Sequence, residues 1–234
     1  NRSMAGVAVE QDSIHLNLEN PASYSNLKLT TFSMGGTYAS KGLKSDSGSA
    51  STRRTTLDYL AVGLPLGKLG VGFGLVPYSS VGYKIESLGE AGTTETNKRF
   101  NGTGGLNKVF LGVGYKIRPN FSVGADVHYN FGKIETNSLE FITGVPVGTQ
   151  ERNTADLSGV NFNIGAMYQT KFNKKLNFYS SLNYTVQANL DSENSRSIAT
   201  VVFGSGTDLG TIDPYDVPME MTKVKLPSKI ALAA

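Results

Sequence analysis

Apolar and polar positions alternate with a period of two along most of the chain. Phe121, Val123, Ala125, Val127, Tyr129 and Phe131 fall on one face, and Ser122, Gly124, Asp126, His128 and Asn130 on the other. Eleven residues of unbroken alternation match the ~9–11 that a tilted strand needs to cross a bilayer. The preceding segment matches: Val109, Leu111, Val113, Tyr115 and Ile117 alternate with Lys108, Phe110, Gly112, Gly114 and Lys116. Arg118-Pro119-Asn120 between them predicts a tight turn, because Pro fixes φ and Asn tolerates a left-handed backbone.

The same pattern returns twice. Val160, Phe162, Ile164, Ala166 and Tyr168 lead through Asn173-Lys174-Lys175 into Leu176, Phe178, Leu182, Tyr184 and Val186. Leu60, Val62 and Leu64 lead through Pro65-Leu66-Gly67-Lys68 into Leu69, Val71, Phe73 and Leu75, whose opposite face is Gly70, Gly72 and Gly74. Residues 41–55, 86–105, 134–156 and 191–217 are polar and read as long loops. Leu27 and Leu29 are out of phase with Phe32 and Met34, which predicts a bulge between them. Short turns thus alternate with long connections, the arrangement of outer-membrane barrels, whose short turns are periplasmic.

Composition sharpens this into a choice of which face points outward. The polar face is mostly Asn, Ser, Gly, Thr and Gln at mid-strand, whereas a soluble barrel would carry its charges there. Tyr115, Tyr129, Tyr168 and Tyr184 stand where an aromatic girdle would lie. The expected fold is therefore all-β: an antiparallel transmembrane β-barrel, apolar side out, in the bacterial outer membrane. A mean hydropathy of −0.18 agrees with a barrel whose strands are polar on one face. No apolar run is long enough for a transmembrane helix. A net charge of +3 gives no nucleic-acid footprint. The absence of Cys excludes disulfides, Cys-ligated metals and a Cys nucleophile.

Residues 1–26 do not alternate. They contain the small residues Ala5, Gly6 and Ala8, then Asp12, then Asn20-Pro21-Ala22. This order, with Gly102-Thr103-Gly104-Gly105-Leu106-Asn107, the segment Phe110 to Tyr115 and Pro77-Tyr78-Ser79-Ser80-Val81-Gly82-Tyr83, resembles the FadL family of outer-membrane transport proteins, in particular members found in Bacteroidota. The resemblance implies a fourteen-stranded barrel, with residues 1–26 as a hatch and 27–234 as barrel strands. It also implies passage of a hydrophobic ligand such as a long-chain fatty acid. About eight or nine strands are countable, too few for fourteen. The chain is then either part of a larger barrel or a smaller barrel of its own.

Candidate site residues follow. Asn20, Pro21 and Ala22 either seat a hatch and shape its gate or form an ordinary turn. Gly70, Gly72 and Gly74 either thin the wall for sideways release or make room for the hatch. Asp126 and His128 form a lumen polar pair about 7 Å apart along the strand. Ser122 is about 20 Å from His128 on that strand, so no catalytic triad is assembled there. No phosphate-binding loop, nucleophile elbow or metal-ligand spacing is present. Neither enzymatic activity, a cofactor nor a metal is expected. Arg53-Arg54 is placed to meet lipopolysaccharide phosphate.

Two functions remain open. One is passive, hatch-gated passage of a hydrophobic molecule. The other, also implied by the resemblance, is a non-transporting accessory subunit of an outer-membrane secretion or protein-assembly complex. Outer-membrane lipid and lipopolysaccharide are the expected surroundings. An apolar path behind the hatch would favour transport, and a polar, filled interior the accessory role.

Overall fold

A computed structural model of the protein describes residues 13–45, 48–87, 89, 96–173, 176–203 and 209–234. The described chain is 82% strand. Its only helical element in that range is a short 3-10 turn, Pro21–Asn26. The strands are β1 (Thr31–Ser45), β2 (Gly48–Leu66), β3 (Leu69–Ser87), β4 (Thr96–Arg118), β5 (Phe121–Ile142), β6 (Val147–Asn173), β7 (Leu176–Thr185), β8 (Ala188–Phe203), β9 (Leu209–Val217), β10 (Thr222–Leu226) and β11 (Lys229–Ala233).

All eleven belong to one antiparallel sheet, in the order β1-β2-β3-β4-β5-β6-β7-β11, with β8 joined to β6, β9 and β10. Several segments are pieces of one strand. Asn163 pairs with Thr185 and Ser158 with Asp191, so β7 and β8 lie end to end along β6 with one extra residue between the pairings. Thr185 pairs with Lys229 and Ser192 with Thr222, so β10 and β11 keep a single register against them. The sheet is a meander of eight long lines, which is why about eight or nine strands are countable in the sequence.

Burial separates the two faces and fixes their polarity. On β4, β5 and β6 the exposed residues are Leu111 (54%), Val113, Val127, Tyr129, Phe162 (55%) and Ile164. Opposite them, Ser122, Asp126 (4%), His128, Asn130, Asn161 and Asn163 (3%) are buried. A water-soluble sheet does the reverse. The apolar outer face runs from the level of Phe121 and its partner Tyr168 to that of Tyr129 and Phe131. Ten residues of strand at a 40° tilt give a height of about 25 Å, the apolar band of an outer-membrane wall. Tyr115, Tyr129 and Tyr168 mark its margins. Tyr184 pairs with Ile164 and so sits inside the band rather than at its margin.

The strands do not stop at that band. The segments read as long loops, residues 41–55, 86–105, 134–156 and 191–217, are largely strand: β1–β2, β3–β4, β5–β6 and β8–β9 run on as paired hairpins. Register set within the apolar band propagates outward, because each further pair adds ladder bonds without a new loop to close. Cross-strand charges support the extension: Lys98 with Glu140 (3.0 Å), Arg99 with Glu86 (3.6 Å), Arg152 with Glu135 (3.3 Å), Lys133 with Asp156 (3.7 Å) and Arg196 with Glu151 (3.1 Å).

Three further expectations are corrected. The slip placed between Leu29 and Phe32 occurs instead at Gly35/Gly36, and β1 begins only at Thr31. Leu27 belongs to the preceding turn as its C-cap. The sheet is also open: among the described residues β1 pairs only with β2, and β11 only with β7. A closed barrel of eight strands has room inside for side chains alone, whereas here a stretch of backbone occupies the polar face. Of the turns, Gly67-Lys68 uses a positive φ of 74° at Gly67, and Pro119-Asn120 joins β4 to β5. Lys174 and Lys175 lie outside the described residues.

Leu111→Arg at the centre of the apolar face is expected to cost about 2–4 kcal/mol in a bilayer. Thr103→Arg, on the projecting part of the same strand, is expected to cost under about 0.5 kcal/mol. Denaturant unfolding of protein inserted in lipid vesicles measures both.

Candidate functional site

The polar face is occupied by the chain's own N-terminal segment. It enters at Leu16 and Leu18, turns at Asn20 and leaves at Leu27. Asn20 caps the 3-10 turn in the way its side chain favours: Oδ1 accepts the Ala22 N–H at 3.0 Å. Pro21 follows at the first position, where a missing N–H costs nothing. Ser23 Oγ donates to the Asn20 carbonyl (2.8 Å) and Ser25 Oγ to that of Ala22 (2.9 Å). The turn thereby satisfies its own hydroxyls and is buried from Pro21 to Ser25.

Asn20 also ties the turn to the sheet. Its Nδ2 donates to the carbonyls of Ala166 (3.3 Å) and Leu182 (3.2 Å), on β6 and β7. Asn163 Nδ2 donates to the Glu19 carbonyl at 3.4 Å. The Glu19 carboxylate reaches Lys229 Nζ on β11, also at 3.4 Å.

Glycines make this seat possible. Gly70, Gly114, Gly124 and Gly165 are consecutive partners across β3, β4, β5 and β6, a row of four with no side chain. A methyl group on Gly70 would fall on the Tyr24 carbonyl, one on Gly114 on that of Pro21, one on Gly124 on the Pro21–Ala22 peptide and one on Gly165 on Asn20 Oδ1. In the next row, Gly72 and Gly112 pair with each other. A Cβ at either would lie 2.9 Å from the Tyr24 ring. Tyr24 is fully buried there, clustered with Ala61 and Phe110 and flanked by Leu16, Leu18 and Val76. Burial, with the nearby Asp126 and Glu19 charges, holds its phenol well above the usual tyrosine range, so it stays neutral.

A polar network lies beside the turn. His128 Nε2 is 2.6 Å from Asp126 Oδ1. Asn163 Nδ2 donates to Asp126 Oδ2 (3.2 Å), and Thr185 Oγ1 to Asn163 Oδ1 (3.2 Å). Asn130 Nδ2 donates to Asn161 Oδ1 at 2.7 Å. Phe110 meets the His128 ring edge-on at 6.5 Å. Beyond the network, Leu106, Leu157 and Leu190 form a second apolar cluster. Tyr24 Oη, Ser122 Oγ and His128 Nδ1 are buried without a hydrogen-bond partner. A cleft of about 420 Å³ adjoins the second apolar cluster at Leu157 and is lined also by Phe131, Met221, Lys133, Asp191 and Glu193, and a second of about 310 Å³ lies among Arg152, Arg196 and Asp216.

A model of the family described as BamG matches residues 1–234, the whole chain. The chain belongs to the BamG family. No curated protein and no solved structure matched it. The BamG name points to an accessory subunit of the outer-membrane BAM assembly complex. This corrects the FadL-like reading, and with it the assignment as a transporter of hydrophobic molecules. Of the motifs behind that reading, Asn-Pro-Ala and the glycine-rich strands serve here to hold a peptide against the polar face, and the small-residue lead lies outside the described residues. They do not specify what passes through it.

The predicted residues are placed as follows. Asn20, Pro21 and Ala22 form the start of the buried turn. Gly70 and Gly72 lie beneath Tyr24, whereas Gly74 faces Leu60, Ala61 and Phe110 rather than the turn. Asp126 and His128 touch each other within the network, and Ser122 joins neither. Residues 1–12 of the proposed hatch lie outside the described residues. Sequence reading missed Gly112, Gly114, Gly124, Gly165, Asn163 and Glu19. The glycines were visible as polar-face positions on three strands, but only the register aligns them into rows.

Gly124→Ala is expected to unseat the turn and cost about 1–3 kcal/mol, with new protease cleavage near Tyr24. Gly82→Ala, where an added Cβ meets nothing within 4 Å, is the control and is expected to leave both unchanged. Asn20→Ala is expected to expose the same segment to protease, at a cost of about 1–3 kcal/mol.

Proposed function

We propose that this BamG-family chain is a non-transporting, membrane-embedded accessory subunit of the outer-membrane protein-assembly complex. Its apolar face holds it among outer-membrane lipids, its N-terminal segment acts as a fixed plug, and its paired hairpins project from the bilayer towards partner subunits. One observation supports this above the others: the polar face is filled. The turn at residues 20–26 rests on bare glycine backbone, Asn20 is tied to two strands, and the Asp126–His128–Asn163 network and the Leu106 cluster take up the space beside it.

The chain's contribution in this reading is structural. Catalysis would require a nucleophile in contact with His128, and Ser122 is six residues away on the same strand, about 20 Å. The interface it offers is a charge-paired surface, the kind that sets orientation and association rate more than raw affinity.

The test is purification of the tagged protein from native outer membranes in mild detergent, with mass spectrometry of both proteins and lipids. Stoichiometric recovery of assembly-complex subunits is expected, unchanged in Asp126→Asn protein that still folds. Recovery of the chain alone, carrying an enriched fatty acid or other hydrophobe, would overturn the proposal.

A further inference from the structure

The projecting hairpins divide into two electrostatic regions. From β3 to β8, Lys84, Lys98, Arg99, Lys133, Arg152 and Arg196 each lie within 3.0–3.7 Å of a carboxylate oxygen. The β1–β2 hairpin differs. It carries Lys41, Lys44, Arg53 and Arg54, all exposed, and among the described residues none has a carboxylate in ion-pair range. Arg54 Nη2 donates to Ser80 Oγ on β3, which positions the guanidinium without neutralising it. The one acidic residue at this hairpin's tip, Asp46, lies outside the described residues.

Register places these cations close together. Ala39 pairs with Arg54, Ser40 with Arg53 and Lys41 with Thr52, so three of the four fall within two successive pairs of one another. Arg54 and Lys41 share one face of the ribbon, and Arg53 and Lys44 the other. Their height is equally defined. Met34 pairs with Leu60 in the apolar band. Arg53 and Arg54 stand opposite residues five and six positions further along β1, about 13–15 Å above Met34 once a 40° tilt is allowed for. On β1 the exposed apolar side chains reach Tyr38, the partner of Thr55, so Arg54 and Arg53 follow directly beyond the apolar face. This end of the sheet is opposite the short turns, and so on the external side by the usual orientation of such walls.

We propose that the cations of this edge hairpin bind phosphate groups of lipopolysaccharide on both faces of the ribbon, Arg54 and Lys41 on one and Arg53 and Lys44 on the other. Two arginines and two lysines on a rigid ribbon suit phosphate well. Guanidinium forks take its oxygens two at a time, and lysines add mobile point charges. Pairing with carboxylates would forfeit this, and the neighbouring β3–β8 hairpins pair six of their cations in that way. The site also acts beside Phe32, Met34 and Tyr38, which are exposed on the same strand and can take acyl chain.

The experiment uses the full chain in detergent, which makes it independent of the assembly-complex reading. Binding of detergent-dispersed lipopolysaccharide is compared with binding of inorganic phosphate. The wild-type chain is expected to bind lipopolysaccharide, to weaken as salt rises, and to lose affinity about fivefold for each charge removed in the series Arg54→Gln, Arg53→Gln/Arg54→Gln and the fourfold glutamine variant. Lys98→Gln/Arg99→Gln, which removes paired cations, is expected to bind normally. Lys41→Arg/Lys44→Arg is expected to retain binding. Equal binding by the fourfold variant, folded by circular dichroism, would overturn the proposal, as would equal loss in the paired-cation control. Inorganic phosphate binding as tightly as lipopolysaccharide would overturn the assignment to lipid.

Discussion

A peptide backbone can lie flat on a β-sheet only where the sheet offers no side chains. The arrangement of this protein depends on that constraint. Four glycines in register across β3, β4, β5 and β6 expose bare backbone, and the Asn20–Leu27 turn occupies it. Everything nearby follows from the contact. Tyr24 drops its ring onto the next pair of glycines, Asn20 reaches two strand carbonyls, and the carbonyl of Glu19 caps the Asn163 amide. Had any one of those glycines carried a methyl group, the turn would ride higher and these bonds would open together.

The second organising feature is the inverted polarity of the sheet. Water excludes the apolar face of a soluble sheet; here that face is exposed, as it is in outer-membrane walls. The polar face is then obliged to satisfy itself. It does so in part, through asparagines, the Asp126–His128 contact and the N-terminal segment, which brings both apolar cover and hydrogen-bond partners, while Ser122 Oγ and Tyr24 Oη stay without one. Beyond the apolar band the strands continue as polar hairpins, and cross-strand ion pairs replace apolar packing as the lateral contacts.

Much of this was legible in the sequence. Period-two alternation gave the strands around residues 109–131 and 160–186, and the mild polar face gave their orientation. Two things were not legible. The projecting hairpins were read as loops because their residues are polar on both faces, which removes the periodic signal while leaving the pairing intact. The seat of the N-terminal turn was half read: Gly70 and Gly72 stood out as a run on one strand, but Gly114, Gly124 and Gly165 are each one glycine among many until register aligns them. The family resemblance failed for a related reason. Asn-Pro-Ala and glycine-rich strands report a peptide packed on a sheet, which is a matter of shape, and shape is shared by proteins that do different work.

The contacts that fix the N-terminal segment are unusually distant in sequence. Asn20 is bonded to residues 146 and 162 positions away, and Glu19 to one 210 positions away. None of those partners exists until the later strands have been laid down. The seat of the turn is therefore a product of the assembled sheet: four strands must be in register before their glycines form one floor, so an error of register anywhere from β3 to β6 would also be felt at the turn.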